Sequence, residues 1–251
     1  MVCRIARRRT LQQIAGWLLL PAAAGALEGP AALATRKFGL VGTLADAQDA
    51  QQRGFPATQI APSWIITAAH VPLDLGRRFA HDFGWALAAA VSRLSTTAPT
   101  QAPFDGAVRD DLALIRLATP ILTPYLPRLM DDGILQRQPA GGDLTMVSNN
   151  PGLRDRRSGF AGLRAFTRRQ GYDFLIVGPR GLQLASGDSG SPLFLGHLTD
   201  TDADSVLVGV ASARSTDQAG RDIAVYSRLG PHRAALDALV GESGERLRWS
   251  A

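Results

Sequence analysis

Cysteine is nearly missing from this chain: its 251 residues include one, Cys3. That residue lies in an N-terminal stretch read below as a leader. The mature protein is therefore expected to fold without a disulfide and to depend on its apolar core. Extremes of charge are missing too. Charged residues make up 20% of the chain and the net charge is +5. Arg4, Arg7, Arg8 and Arg9, against the single acid Glu28, carry much of that excess, so nothing in the remainder demands a nucleic-acid partner. No internal repeat or low-complexity tract appears, which excludes a solenoid. The apolar run Ile14 to Leu27 is interrupted by Pro21 and is too short for a membrane span. What remains is ordinary. An apolar content of 45% in a chain of this length can bury a sizeable core.

A basic start followed by an apolar run is the pattern of an export signal. Ala32-Leu33-Ala34 offers a small-x-small cleavage site, so residues 1–34 are read as the signal; Ala24-Gly25-Ala26 offers a second site. Arg8-Arg9-Thr10-Leu11 resembles a twin-arginine signal. The expectation is a secreted or periplasmic protein, exported by the twin-arginine route, with no stable membrane span after signal removal.

Three stretches carry the chemistry. Gly187-Asp188-Ser189-Gly190 lies between the apolar, Gly-containing approach Gly181 to Ser186 and the apolar exit Pro192 to Leu195. As structure it is a tight turn feeding a buried strand. As chemistry it puts a hydroxyl beside the N–H groups of Gly187 and Ser189, a pair able to hold a developing oxyanion. A nucleophilic serine needs a base of near-neutral pKa. Trp64-Ile65-Ile66-Thr67-Ala68-Ala69-His70 supplies one, a strand ending on histidine. Asp111 opens the apolar run Leu112 to Leu117, where a carboxylate can take the imidazole's other N–H and fix its tautomer.

In this order, T-A-A-H, D-L-A-L-I and G-D-S-G-S-P resemble the trypsin/chymotrypsin-like serine proteases. The order His, Asp, Ser separates this family from subtilisins and α/β-hydrolases. Leu207 to Ser212 resembles the family's strand beside the substrate, and Ala224 to Leu229 the strand closing its primary pocket. The resemblance runs from about Val41 to Val240. It implies His70 as general base, Asp111 as the orienting acid, Ser189 as nucleophile, and Gly187 and Ser189 as oxyanion donors. It implies an all-β fold of two Greek-key six-stranded β-barrels with a C-terminal helix. The implied parts are an N-terminal barrel over 35–125, a C-terminal barrel over 126–230, and a helix and tail over 231–251. The implied activity is that of a monomeric serine endopeptidase acting on protein or peptide, with no cofactor and no metal. A catalytically silent binding module on the same fold and an esterase for small acyl substrates are the alternatives.

The resemblance also places the primary pocket. Gln183 falls at its base, Ser212 and Arg214 on the substrate-side strand, and Ala224 on the opposite wall. Gln183 has no carboxylate, which argues against cleavage after Lys or Arg. Arg214 stands where the family usually has Gly, so it narrows the mouth, brings a positive charge to it, or turns to solvent and leaves the pocket neutral. Two further departures stand out. Ser191 replaces a usual Gly, and no Ile-Val-Gly-Gly start precedes Val41. In animal members a freed N-terminal amine pairs with the Asp before the serine. Here Asp188 is expected to pair with an arginine of the segment Arg154 to Arg169, or with an amine freed by a cut after Lys37.

The rest reads as short strands and turns. Residues 82–95 are Ala-rich and fit either a helix or a strand. Asp200, Asp202 and Asp204 lack the later Gly and Glu of a calcium loop, so a solvated hairpin tip is expected. Pro231 begins and Gly241 ends a helix through Ala234 to Val240.

Overall fold

Trp64-Ile65-Ile66-Thr67 shows why this chain builds sheet. Four large or β-branched residues in a row are all buried, and their backbone groups are paired on both sides. The computed structural model describes residues 27, 33–35, 37–47, 54–94, 111–131, 142–148, 156–167, 174–216 and 219–250. Asp110, Arg154, Arg168 and Arg169, the polar stretch 97–105 and the leader up to residue 26 lie outside them.

Six antiparallel strands close the first barrel: β2 (Val41–Ala45), β3 (Phe55–Ala61), β4 (Trp64–Thr67), β5 (Arg78–His81), β6 (Gly84–Arg93) and β7 (Ala113–Leu117). Their order around the barrel is β2-β3-β4-β7-β6-β5. The second barrel is built from β9 (Asp143–Ser148), β10 (Arg156–Thr167), β11 (Phe174–Pro179), β12 (Pro192–Leu195), β13 (Val206–Thr216) and β14 (Asp222–Arg228). Its order is β9-β10-β11-β14-β13-β12, closed by the β12–β9 pairing. Counted from its own first strand, each barrel runs one, two, three, six, five, four. The sequence shows no repeat, yet the topology does.

Two short strands extend the second sheet. β1 (Leu33–Thr35) pairs with β10 at Arg156 to Ser158, and β8 (Arg128–Leu129) runs parallel to β13. The N-terminal end of the described chain is thus stitched to the second barrel. A 3₁₀ turn containing Pro231 leads into helix α1 (Arg233–Gly241), whose last residue is Gly241. Leu236 and Val240 of α1 are buried in the first barrel's apolar cluster, and Trp64 Nε1 donates to Ser243 Oγ at 2.9 Å. No helix among the described residues is long and apolar enough to cross a membrane.

The ambiguous segment 82–95 is strand. Along β6, Ala86 and Ala88 are buried while Trp85 and Leu87 are exposed, an alternation of period two. The barrel interior accepts only small side chains there, and β5 and β7 complete the ladder on either side. Trp85 lies outside under the Arg78 guanidinium, 4.8 Å from the ring centre.

The barrels meet through apolar and charged contacts. Phe194, Leu207, Val210 and Leu229 of the second half share the first barrel's cluster. Arg156 of β10, nearly buried, grips Asp82 with both Nη atoms at 2.9 and 2.6 Å and donates through Nε to Val41 O at 2.8 Å. A planar guanidinium makes such a two-point grip and a third bond at once.

Candidate active site

Pairing of β4 with β7 in antiparallel register sets Thr67 opposite Ala113, so the end of one strand adjoins the start of the other. Buried Ala68 and Ala69 carry the chain from β4 to the rim, where His70 stands. Asp111 immediately precedes buried Leu112 and Ala113 of the β7 entry. The two residues meet there. His70 Nδ1 lies 2.5 Å from Asp111 Oδ2, and the His70 backbone N–H donates to Asp111 Oδ1 at 2.9 Å. Asp111 is 1% exposed, which keeps this carboxylate out of water. Since Nδ1 faces a carboxylate, it carries the proton, and Nε2 is left as the acceptor.

Ser189 comes from the other barrel, in the loop between β11 and β12. Its Oγ lies 2.7 Å from His70 Nε2. Gly190 makes this approach possible. A Cβ there would stand 2.2 Å from both Pro56 O and Thr67 Oγ1 of the first barrel, and its φ is +94°. Only glycine satisfies both the backbone angle and the contact. The loop is latched to β13 by Gly190 N–H to Ala211 O at 2.9 Å and Ala211 N–H to Ser191 O at 2.8 Å.

Gly187 has φ +99°. Among the described residues, no hydrogen bond takes up the N–H of Gly187 or of Ser189. Two such donors one residue apart can receive negative charge on an oxygen beside Ser189. Asp188 between them is 1% exposed. Its Oδ2 accepts the N–H of Ala185 at 2.7 Å and of Leu27 at 3.0 Å, and its Oδ1 accepts the Ser148 hydroxyl. The carboxylate anchors the loop that carries both donors. Tyr226, fully buried nearby, has its hydroxyl pushed well above the ordinary range, by burial first and by Asp188 second.

A cleft of about 200 Å³ opens beside Ser189, lined by Leu184, Ala185, Gly187, Ser212, Ala213 and Arg214 among others. Arg214 lines it and donates from Nη1 to Leu184 O at 3.2 Å, which joins two of its lining residues. Of the residues expected at the pocket, Ser212 and Arg214 line it. Gln183 is half-buried one residue before lining Leu184, and buried Ala224 pairs with Arg214 in the sheet behind.

Three site residues escaped the sequence reading in these roles. Ser212 donates its hydroxyl to Asp111 Oδ2 at 2.6 Å, and Ser227 donates to the Asp111 carbonyl at 3.0 Å. Both come from the second barrel and hold the acid of the first. No local pattern marks them, because the bonds span 101 and 116 residues. Leu27 is the third, and its N–H on Asp188 was hidden by its reading as leader. A cut after Lys37 would free Phe38, but the Phe38 N–H already donates to Asp200 Oδ1 at 2.9 Å, a different carboxylate. Asp202 Oδ1 accepts the N–H groups of Asp204 and Ser205, and the first of these bonds chiefly lowers its pKa. That is a turn held by its own acid.

Comparison of the sequence with protein-family models returns no match, and comparison with curated proteins returns none. Solved structures do match. A secreted serine protease, VesC, from Vibrio cholerae superposes with a TM-score of 0.60 at 13% identity, over 84% of this chain and 47% of that one. The chain thus spans about half the length of the Vibrio protein. The scabies mite inactivated protease paralogue S-I1 superposes with a TM-score of 0.59 at 16% identity, over 83% of this chain and 97% of that one. With two closed six-stranded antiparallel barrels and a C-terminal helix, the chain has the fold of the trypsin/chymotrypsin-like serine proteases.

Proposed function

We propose that this protein is an exported serine endopeptidase that works through an acyl-enzyme. The observation carrying the proposal is the unbroken line Ser189 Oγ, His70 Nε2, His70 Nδ1, Asp111 Oδ2, with steps of 2.7 and 2.5 Å at its two hydrogen bonds. Ser189 Oγ attacks the scissile carbonyl as His70 Nε2 takes its proton. Buried Asp111 stabilises the imidazolium, and the N–H groups of Gly187 and Ser189 receive the oxyanion. His70 then protonates the leaving amine. A water, deprotonated by the same nitrogen, releases the acyl group as a carboxylic acid and restores the Ser189 hydroxyl. No cofactor enters these steps.

The cleft supports a preference at the residue before the scissile bond. It is small, and Arg214 lines it. Small or acidic side chains fit, the latter by a charge-assisted bond. Lysine and arginine meet like charge. Profiling of a mixed peptide library with purified protein, with and without a serine-reactive fluorophosphonate, tests the assignment. Fluorophosphonate-sensitive cleavage after small or acidic residues is expected. Likeness to the mite paralogue, an inactivated protease, favours one other reading, a silent binding module. Binding without turnover in the same assay would establish it.

A further inference from the structure

Arg93 is the last residue of β6, and its register with β7 sets it opposite Ala113, two residues after Asp111. Its Nε donates to Ala69 O at 3.2 Å. The Ala69 carbonyl and the His70 N–H belong to one peptide unit, which is planar and turns as a single body. That unit is held at both ends. Arg93 holds its oxygen, and its N–H donates to Asp111 Oδ1 at 2.9 Å. A line of two hydrogen bonds thus runs from the guanidinium to the buried carboxylate through a single peptide.

Asp111 has use for such a line. It is 1% exposed, and its carboxylate accepts from the His70 N–H, from His70 Nδ1 and from the Ser212 hydroxyl. Among the described residues no lysine or arginine bonds to it directly. A carboxylate out of water with no cation beside it is costly. A cation on the carbonyl side of a peptide polarises it, which makes the N–H on the other side a stronger donor. Among the described residues no carboxylate draws Arg93 elsewhere.

We infer that Arg93 is a positioning residue for the triad: it fixes the plane of the Ala69–His70 peptide, and through it the seat of the imidazole on Asp111. It acts through that peptide and not on the reacting atoms. The inference rests on the protease reading of the Ser189 site.

Kinetics and hydrogen exchange test it together. Arg93 is exposed, so its variants are expected to fold. On a peptide ester, Arg93→Ala is expected to lower kcat roughly tenfold, with less than about a twofold change in KM. Arg93→Lys keeps a charged donor and should recover most of the loss; Arg93→Gln, a neutral donor, should recover less. With Asp111→Asn already in place there is no charge left to support, so adding Arg93→Ala should cost little more. Exchange of the His70 amide is read by NMR and needs no turnover. It is expected to quicken at least about tenfold in Arg93→Ala, while the amides of β4 keep their rates. Unchanged His70 exchange, unchanged kcat in an active enzyme, no recovery with lysine, or an undiminished loss beside Asp111→Asn each overturns the inference. Wild-type protein that neither turns over nor takes a fluorophosphonate removes the protease reading instead. Faster His70 exchange in Arg93→Ala then still supports the anchor, and equal exchange overturns it.

Discussion

Ser212 of the second barrel donates its hydroxyl to Asp111 of the first at 2.6 Å, on the same oxygen that receives His70. The acid is therefore oriented from across the barrel interface. Replacing Ser212 by alanine removes one bond to a buried carboxylate, worth about 1.5–3 kcal/mol. Because Ser212 acts on chemistry through Asp111, kcat is expected to fall roughly tenfold to a hundredfold by that energy, with a smaller change in KM. Steady-state kinetics on a peptide ester checks the split, and Ser212→Thr is expected to restore part of kcat.

Gly190 is one of the closest points of approach between the two halves. Gly190→Ala places a methyl against Pro56 O and Thr67 Oγ1 and requires a backbone angle that alanine resists. Strain of about 1–3 kcal/mol is expected from the angle alone. Relieving the overlap with the Pro56 carbonyl shifts the loop that carries Ser189. Fluorophosphonate labelling should drop far more than the melting temperature does.

Arg156 ties the barrels by charge. Its removal leaves the Val41 and Lys37 carbonyls and Asp82 each short of a donor. Arg156→Ala is expected to cost roughly 2–3 kcal/mol in denaturant unfolding. Arg156→Lys should recover little, since an ammonium cannot grip both Asp82 oxygens while reaching Val41.

Acid should weaken the fold through His81. Its half-buried ring lies between Gln59 Oε1, at 2.5 Å from Nε2, and the Phe83 N–H, at 3.1 Å from Nδ1. Burial chiefly, with Arg156 adding to it, lowers its pKa to about 4, while its own backbone and Asp82 pull the other way. The unfolded chain binds a proton near pH 6.5, before the folded one does. Stability is therefore lost as pH falls from about 6.5 towards 4. Thermal melts across that window should show a smaller loss for His81→Gln than for the wild type.

What could be read from the sequence follows what the chemistry demands locally. A nucleophile turn and the strand ends bearing His70 and Asp111 need particular residue types in short runs, so these stood out. β6 did not, because alanine fits a helix and a cramped barrel wall equally well; only the partner strands decided it. The repeated strand order left no trace, since equivalent barrel positions need only be apolar and of the right volume. Leu27 could not be placed, because the carboxylate that holds it lies 161 residues away and its neighbours look like the end of a leader.

Covalent capture of Ser189 tests the central claim most directly. Folded protein is treated with a fluorophosphonate, digested and mapped by mass spectrometry. A single adduct on Ser189 is predicted, absent after prior heat denaturation and reduced by about 10³-fold or more in rate in His70→Ala. Folded wild-type protein that carries no adduct on Ser189, or that is labelled equally fast without His70, would contradict the account.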